Sequence, residues 1–129
     1  MIVTYTPEGE EAQTWEFSPG RIRSSEAEIL QKRFGGPWDQ FAIGVQSGDV
    51  RARRVMLWHC LRRDHHTLRF EDMPEFMMDE LKVEFTKEEF GRMLVDADKT
   101  GKLTAEERET IEMAMALAPE GLGKAGSKS

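Results

Sequence analysis

The sequence VRARRVMLWHCLRRD, residues 50–64, predicts the central helix of the protein. Ser47 and Gly48 interrupt the preceding helical pattern, and Asp49 belongs to the residue types that cap helix N-termini. Apolar side chains cover a wide surface of the predicted helix, which is typical of a helix packed on several sides. They are Val50, Val55, Met56, Leu57, Trp58, Cys60 and Leu61. We therefore expect the rest of the chain to pack around this helix.

Two short β-rich runs and two amphipathic helices are predicted upstream of it. Residues 2–6 and 14–17 flank turn-forming residues, which indicates a β-hairpin. Two strands alone are marginal in water, so Trp15 and Phe17 should cover helices. A capping box at residues 25–28 predicts the start of the first helix. The second helix is indicated by apolar residues at helical spacing, namely Trp38, Phe41, Ala42 and Val45.

Downstream, helix-start patterns occur at residues 72–75 (Asp-Met-Pro-Glu), 86–89 and 104–107. Pro119 ends the helical pattern, and the remaining residues are mostly Gly, Ser and Lys. The predicted fold class is mainly α with an N-terminal β-hairpin (α+β), a compact helical domain of about five to six helices. The predicted organisation is a single domain over 1–118, with the hairpin at 1–18 and helices at 24–118, followed by a flexible tail at 119–129.

Composition and charge limit the class of protein to which this chain can belong. The chain has 129 residues, one cysteine and a net charge of −6, so we expect a soluble intracellular protein without disulfides, membrane spans or nucleic-acid partners. The charge is uneven. Residues 1–70 carry 10 basic and 9 acidic side chains, whereas residues 71–129 carry 8 and 15. This asymmetry favours either self-association between oppositely charged surfaces or ordinary solvated helix faces.

No nucleophile elbow, Gly-rich phosphate loop or paired-cysteine metal motif occurs in the sequence, so we expect a protein that is not an enzyme. Residues 96–107 resemble the calcium loop of EF-hand proteins, in which oxygen ligands alternate around a glycine, here Gly101. The ligands of Ca²⁺ would be the side chains of Asp96, Asp98, Thr100 and Glu107 and the carbonyl of Lys102.

A metal-free alternative explains the same residues. Arg92 and Arg108 occupy flanking positions that are usually apolar in EF-hands, and the chain has no second such loop. Thr104 and Glu107 also form a capping box, and residues 96–101 have the composition of a polar turn between two helices. The sequence leaves both interpretations open.

A more extensive resemblance covers residues 14–90. Five motifs follow one another in this region. They are a Trp-Glu-Phe strand at 15–17, an acidic helix start at 25–28, a Trp–Phe helix at 38–41, a helix with Leu-Trp and Arg-Arg at 57–63, and an LxFxD segment at 68–72. This order resembles that of the tail assembly chaperones of long-tailed (siphovirus) bacteriophages of actinobacteria.

The resemblance implies a non-enzymatic chaperone in the host cytoplasm, absent from the mature virion. Such chaperones coat the tape measure protein, keep it soluble and recruit tail tube protein, and many have a longer form made by ribosomal frameshifting. The Gly-Lys codons of residues 121–129 are compatible with a slippery run. Adaptable methionines and basic side chains suit partner binding and self-association. The predicted partner-binding residues are Arg53, Arg54, Trp58, Arg62, Arg63, Met73, Met77 and Met78.

Overall fold

The computed structural model describes residues 1–122 as five α-helices and one small antiparallel sheet, which confirms the predicted fold class. The strands are β1 (Ile2–Tyr5), β2 (Gln13–Glu16) and β3 (Leu81–Glu84). The helices are α1 (Ser24–Phe34), α2 (Trp38–Ser47), α3 (Val50–Leu61), α4 (Lys87–Thr100) and α5 (Ala105–Leu117). Within residues 1–122, none of the helices combines the length and apolar character needed to cross a membrane.

Helix α3 is the centre of the core, as its sequence predicts. Seven of its residues are buried, and α1 and α2 pack against it. Gly44 of α2 is buried at the crossing with α3, where a methyl group would meet the Ala52 side chain. The helix ends at Leu61, three residues earlier than expected from residues 50–64, and Arg62 is its C-cap.

The hairpin is confirmed, and its aromatic side chains cover helices. Strand β1 pairs antiparallel with β2, in a register that places Val3 opposite Trp15. The Phe17 ring makes edge contacts with Phe41 of α2 and His59 of α3. Burial of these rings supplies the apolar contacts that two short strands alone lack.

The prediction that a helix starts at residues 72–75 is wrong. Residues 70–72 and 78–80 form single 3-10 turns, and the chain then becomes β3, which pairs antiparallel with the free edge of β1. Two observations account for this. Residues 81–85 alternate apolar and polar, the strand period, and the Glu80 carboxylate accepts hydrogen bonds from the backbone N–H groups of Met77 and Glu8. These bonds hold the turn that directs β3 along β1.

Three of the predicted helix caps are confirmed. Asp49 accepts a hydrogen bond from the Ala52 N–H at 2.9 Å, and Thr86 and Thr104 form capping boxes with Glu89 and Glu107. The capping box predicted at residues 25–28 is wrong, because α1 already begins at Ser24 and its N-cap makes no side-chain hydrogen bond.

The hairpin of α4 and α5 has no fully buried residue. It attaches to the sheet through the edge-on contact of Phe90 with Phe85, which follows β3, and through polar contacts. The Met1 ammonium lies 2.7 Å from the Glu89 carboxylate. Residues 119–122 also contact the fold, since the Lys87 N–H donates to the Pro119 carbonyl and the Leu122 N–H to the Glu16 carboxylate. The predicted tail therefore does not begin at 119, and its remainder, 123–129, lies outside the described residues.

Candidate functional site

Two of the sequence motifs described above, residues 57–63 and 68–72, pack against each other around Trp58. The Trp58 indole N–H donates to the Leu68 carbonyl at 3.0 Å, and the Phe70 ring packs edge-on against the indole with centroids 5.6 Å apart. Asp72 then pairs with Arg69 at 2.8 Å. The Leu68 carbonyl and the Phe70 ring therefore hold this segment against α3, whereas Asp72 pairs with Arg69 within the segment.

Arginine side chains surround these two aromatic rings. The Arg62 guanidinium lies 4.0 Å from the Trp58 ring centroid, and Arg33 and Arg54 lie 5.2 and 5.7 Å from that of Phe70. Cation–π contacts of this kind contribute about 0.5–1 kcal/mol at exposed sites. We call Arg33, Arg54, Trp58, Arg62 and Phe70 the Trp58 cluster. It joins α1, α3 and the segment after α3.

A charged network links this cluster to the start of α1. Glu26 accepts hydrogen bonds from Arg62 and from His59 Nδ1, the latter at 2.8 Å. Partial burial acts to raise the pKa of Glu26, but these bonds and the neighbouring positive charges outweigh it, so the pKa lies below its ordinary value. Burial lowers the pKa of His59, and the contacts with Glu26 offset this only in part. The network therefore stabilises the charged form of the Glu26 carboxylate.

The remaining arginines of α3 bind backbone carbonyls. Arg53 donates to the Val45 and Gln46 carbonyls at the end of α2, and Arg51 donates to the Phe34 carbonyl at the end of α1. A cation at a helix C-terminus stabilises the unpaired carbonyls and the helix dipole. These side chains therefore stabilise the packing of α1 and α2 against α3.

Of the predicted partner-binding residues, the structure leaves two methionines at the surface. Met77 and Met78 are 68% and 39% exposed, whereas Trp58 and Met73 are 5% and 7% exposed. The prediction for Trp58 and Met73 is corrected, because buried side chains offer no surface to a partner in this conformation. Their apolar character reflects core packing.

The predicted basic partner surface is also engaged within the fold. Arg53 binds the end of α2, Arg54 lies over Phe70 and 3.9 Å from Glu75, Arg62 binds Glu26, and Arg63 donates to the Glu16 carbonyl. Within residues 1–122, Arg53 donates two internal hydrogen bonds, Arg62 and Arg63 donate one each, and Arg54 donates none. A guanidinium has five N–H donors, so each arginine keeps its unit charge and several of its donors beyond these bonds. Partner binding by these four arginines stays a prediction.

The predicted calcium ligands lie where α4 meets α5, in the arrangement of the metal-free alternative. Helix α4 continues through Thr100, and Gly101 ends it with a left-handed backbone. Asp96 and Asp98 are thus two residues apart on a helix, about 200° around its axis, so their carboxylates diverge. An EF-hand loop instead turns alternate side chains toward one point.

Two of these carboxylates have partners within the fold. Asp98 pairs with Arg108, which lowers the pKa of Asp98, and Glu107 accepts from the Thr104 N–H at 3.1 Å. Lys102 lies in the connection between the two helices. Within residues 1–122, no group of three or more His, Cys, Asp or Glu side chains is placed to hold a metal ion. Calcium binding here would require the end of α4 to unwind.

The predicted partner-binding residues do not include the apolar side chains that are exposed on α4 and α5. Val95 and Leu117 are exposed, as is Met113. An open groove of about 290 Å³ lies where α5 ends, lined by Glu84, Phe85, Phe90, Ala114, Leu117, Ala118 and Pro119. The signal available in the sequence was the excess of apolar residues over one helix stripe in 111–118.

Comparison of the chain with protein-family models, with curated proteins and with solved structures gives no significant match.

Proposed function

We propose that this protein is a tail assembly chaperone of a long-tailed actinobacteriophage, which binds the tape measure protein and keeps it soluble while the tail is built. The observation that carries the proposal is the ordered set of motifs in residues 14–90. In the fold these motifs belong to one packed unit, formed by the hairpin, α1 to α3 and the segment around Phe70. A shared core gives a physical reason for their order and spacing.

The surface of the second half suits the binding of an apolar helical partner. Large apolar side chains are exposed on both helices of the α4–α5 hairpin, at Val95, Met113 and Leu117. Contiguous exposed apolar patches commonly mark sites of interaction, and we infer that these side chains belong to one. Methionine adapts its shape to different apolar neighbours, as a protein that coats a long partner requires. We therefore assign tape measure binding to this hairpin.

The remaining features of the proposed role follow from it. The chaperone acts in the host cytoplasm, recruits tail tube protein to the coated tape measure, and leaves before the virion is complete. It performs no catalysis, and it binds neither membrane nor nucleic acid.

The proposal is tested by co-expression with the tape measure protein encoded beside it. We expect the wild-type chain to move the tape measure protein from the insoluble to the soluble fraction. The double variant Val95→Gln and Met113→Gln should lose most of this effect, because it removes two exposed apolar contacts, one on each helix. The matched control is Lys99→Gln and Thr110→Gln, which alters one exposed position on each of the same helices without removing a large apolar side chain.

Two results would count against the proposal. If the tape measure protein is equally insoluble with and without the wild-type chain, the proposed function is wrong. If the wild-type chain solubilises it and both double variants do so equally, the function stands and the assignment to the α4–α5 hairpin is wrong. Circular dichroism of each purified variant checks that its fold is unchanged.

A further inference from the structure

In the part of the chain that the structure describes, residues 1–122, strand β3 leaves one edge of the sheet without a partner strand. The strand order is β2-β1-β3, and Thr4 lies opposite Lys82. The Thr6 N–H donates to the Glu80 carbonyl at 2.8 Å, so the hydrogen bonds to β1 come from the even-numbered residues of this segment. The backbone groups of Val83 and Phe85 therefore point away from β1. Within residues 1–122, these groups make no hydrogen bond to any other element.

The opposite edge of the sheet is protected. At β2, the Arg63 guanidinium donates to the outward carbonyl of Glu16 at 2.7 Å, and the Leu122 N–H binds the Glu16 carboxylate. Proteins commonly cover or charge their edge strands in this way to prevent pairing with other chains. Strand β3 carries Lys82 and Glu84, whose charged groups lie 3.6 Å apart within the strand. Among residues 1–122, however, no side chain or backbone group covers the outward N–H and carbonyl of Val83, so this edge is the one available for pairing.

The sequence of β3 is complementary to itself in the antiparallel direction. If two copies pair about Val83, each Lys82 lies directly opposite Glu84 of the other copy, and each Leu81 lies opposite Phe85. Oppositely charged residues that face each other across two strands stabilise the pairing. The same register makes Val83 a hydrogen-bonded pair with its counterpart, as its outward N–H and carbonyl require. Charge and backbone geometry thus select one register.

The surfaces that flank β3 are also complementary. Met77 and Met78 precede the strand and are exposed, and the open groove lined by Phe85, Phe90 and Leu117 follows it. Antiparallel pairing places the start of β3 in one copy beside the end of β3 in the other. The methionines of each copy then lie next to the groove of its neighbour, and twofold symmetry repeats the contact. This apolar contact supplements the short strand pair.

We propose that two copies of this chain associate through the edges of β3 to form a twofold dimer with a continuous six-stranded antiparallel sheet. The dimer is independent of the function proposed above, because its evidence comes from the sheet edge, the charges of Lys82 and Glu84 and the adjoining groove.

Charge-reversal variants of β3, made in the full-length chain, test this arrangement. Sedimentation equilibrium of the wild type should show a species of twice the 14.8 kDa chain mass. Lys82→Glu and Glu84→Lys should each weaken the dimer by about tenfold or more, because each places two pairs of like charges face to face. An equimolar mixture of the two variants should regain the dimer, since positions 82 and 84 are both acidic in one variant and both basic in the other. The control variant Lys99→Glu, on α4, should dimerise like the wild type.

The mixing experiment separates pairing from folding. A change of stability within one chain would affect the two variants whether they are alone or mixed, and the circular dichroism and melting temperature of each variant measure that change directly. A wild-type chain that remains monomeric at every concentration overturns the proposal. So does a dimer that neither single reversal weakens, or a pair of weakened variants that do not associate when mixed.

Discussion

Replacing Gly44 with alanine should destabilise the protein, although alanine is the better helix former. In an open helix the substitution would gain about 1 kcal/mol. Here the added Cβ would lie 2.8 Å from the Ala52 Cβ and 3.2 Å from the Asp49 Cβ. Neither atom is the flexible end of a side chain, so α2 and α3 must separate or shift.

The magnitude follows from two costs and one gain. Overpacking of a tight core contact costs roughly 1–3 kcal/mol. Displacement of Asp49 also weakens its 2.9 Å hydrogen bond to the Ala52 N–H, a cap worth about 1 kcal/mol. After subtraction of the helix gain, we expect a net loss of about 1–3 kcal/mol, which for a chain of this length corresponds to a fall in melting temperature of roughly 4–12 °C.

Thermal and urea unfolding followed by circular dichroism measure this effect. Gly91→Ala in α4 is the matched control, because its added methyl group would meet only the Met115 methyl at 3.9 Å, an ordinary contact. We expect Gly91→Ala to stabilise by about 0.5–1 kcal/mol. The reasoning is refuted if both variants stabilise the protein, since α2 and α3 would then not be packed as closely as described.

Three further predictions concern individual side chains. Cys60 is fully buried, which raises the pKa of its thiol to about 12. The native protein should therefore not react with a thiol reagent at pH 8, whereas the urea-unfolded protein should react. A rapid reaction of the native protein would contradict the packing of α3. Because burial lowers the pKa of His59, the unfolded chain binds the extra proton first as the pH falls below about 6.5, and stability should decrease from pH 7 to pH 5. His59→Gln should reduce that decrease, and an unchanged slope of the urea midpoint with pH would be evidence against it. Millimolar Ca²⁺ should leave the melting temperature unchanged, because α4 separates the carboxylates of Asp96 and Asp98; a rise that Asp96→Ala abolishes would show that the loop unwinds to bind the ion.

The central helix and the caps could be predicted because their signals are local. Asp49 lies directly before an apolar-rich stretch, and Thr86 and Thr104 each precede a glutamate by three residues. Hydrogen bonds between residues three apart need no information from the rest of the fold. The same pattern at residues 25–28 failed, since α1 begins one residue before Ser25.

Strand β3 and the role of Trp58 could not be predicted in the same way. The helix-start pattern at residues 72–75 competes with the alternation of residues 81–85, and the unpaired edge of β1, which is distant in sequence, favours the strand. For Trp58 and Met73, apolar character alone does not distinguish a buried side chain from a partner-facing one. The structure separates them through the packing of residues 68–73 on α3.

The most direct test of the chaperone proposal measures the aggregation of the tape measure protein itself. Denatured, purified tape measure protein is diluted into buffer that contains the chain, an equal concentration of serum albumin, or no addition, and light scattering is recorded. We predict that the chain suppresses the scattering in proportion to its concentration and is recovered with the tape measure protein in one soluble complex. Scattering that is the same in all three samples would contradict the account.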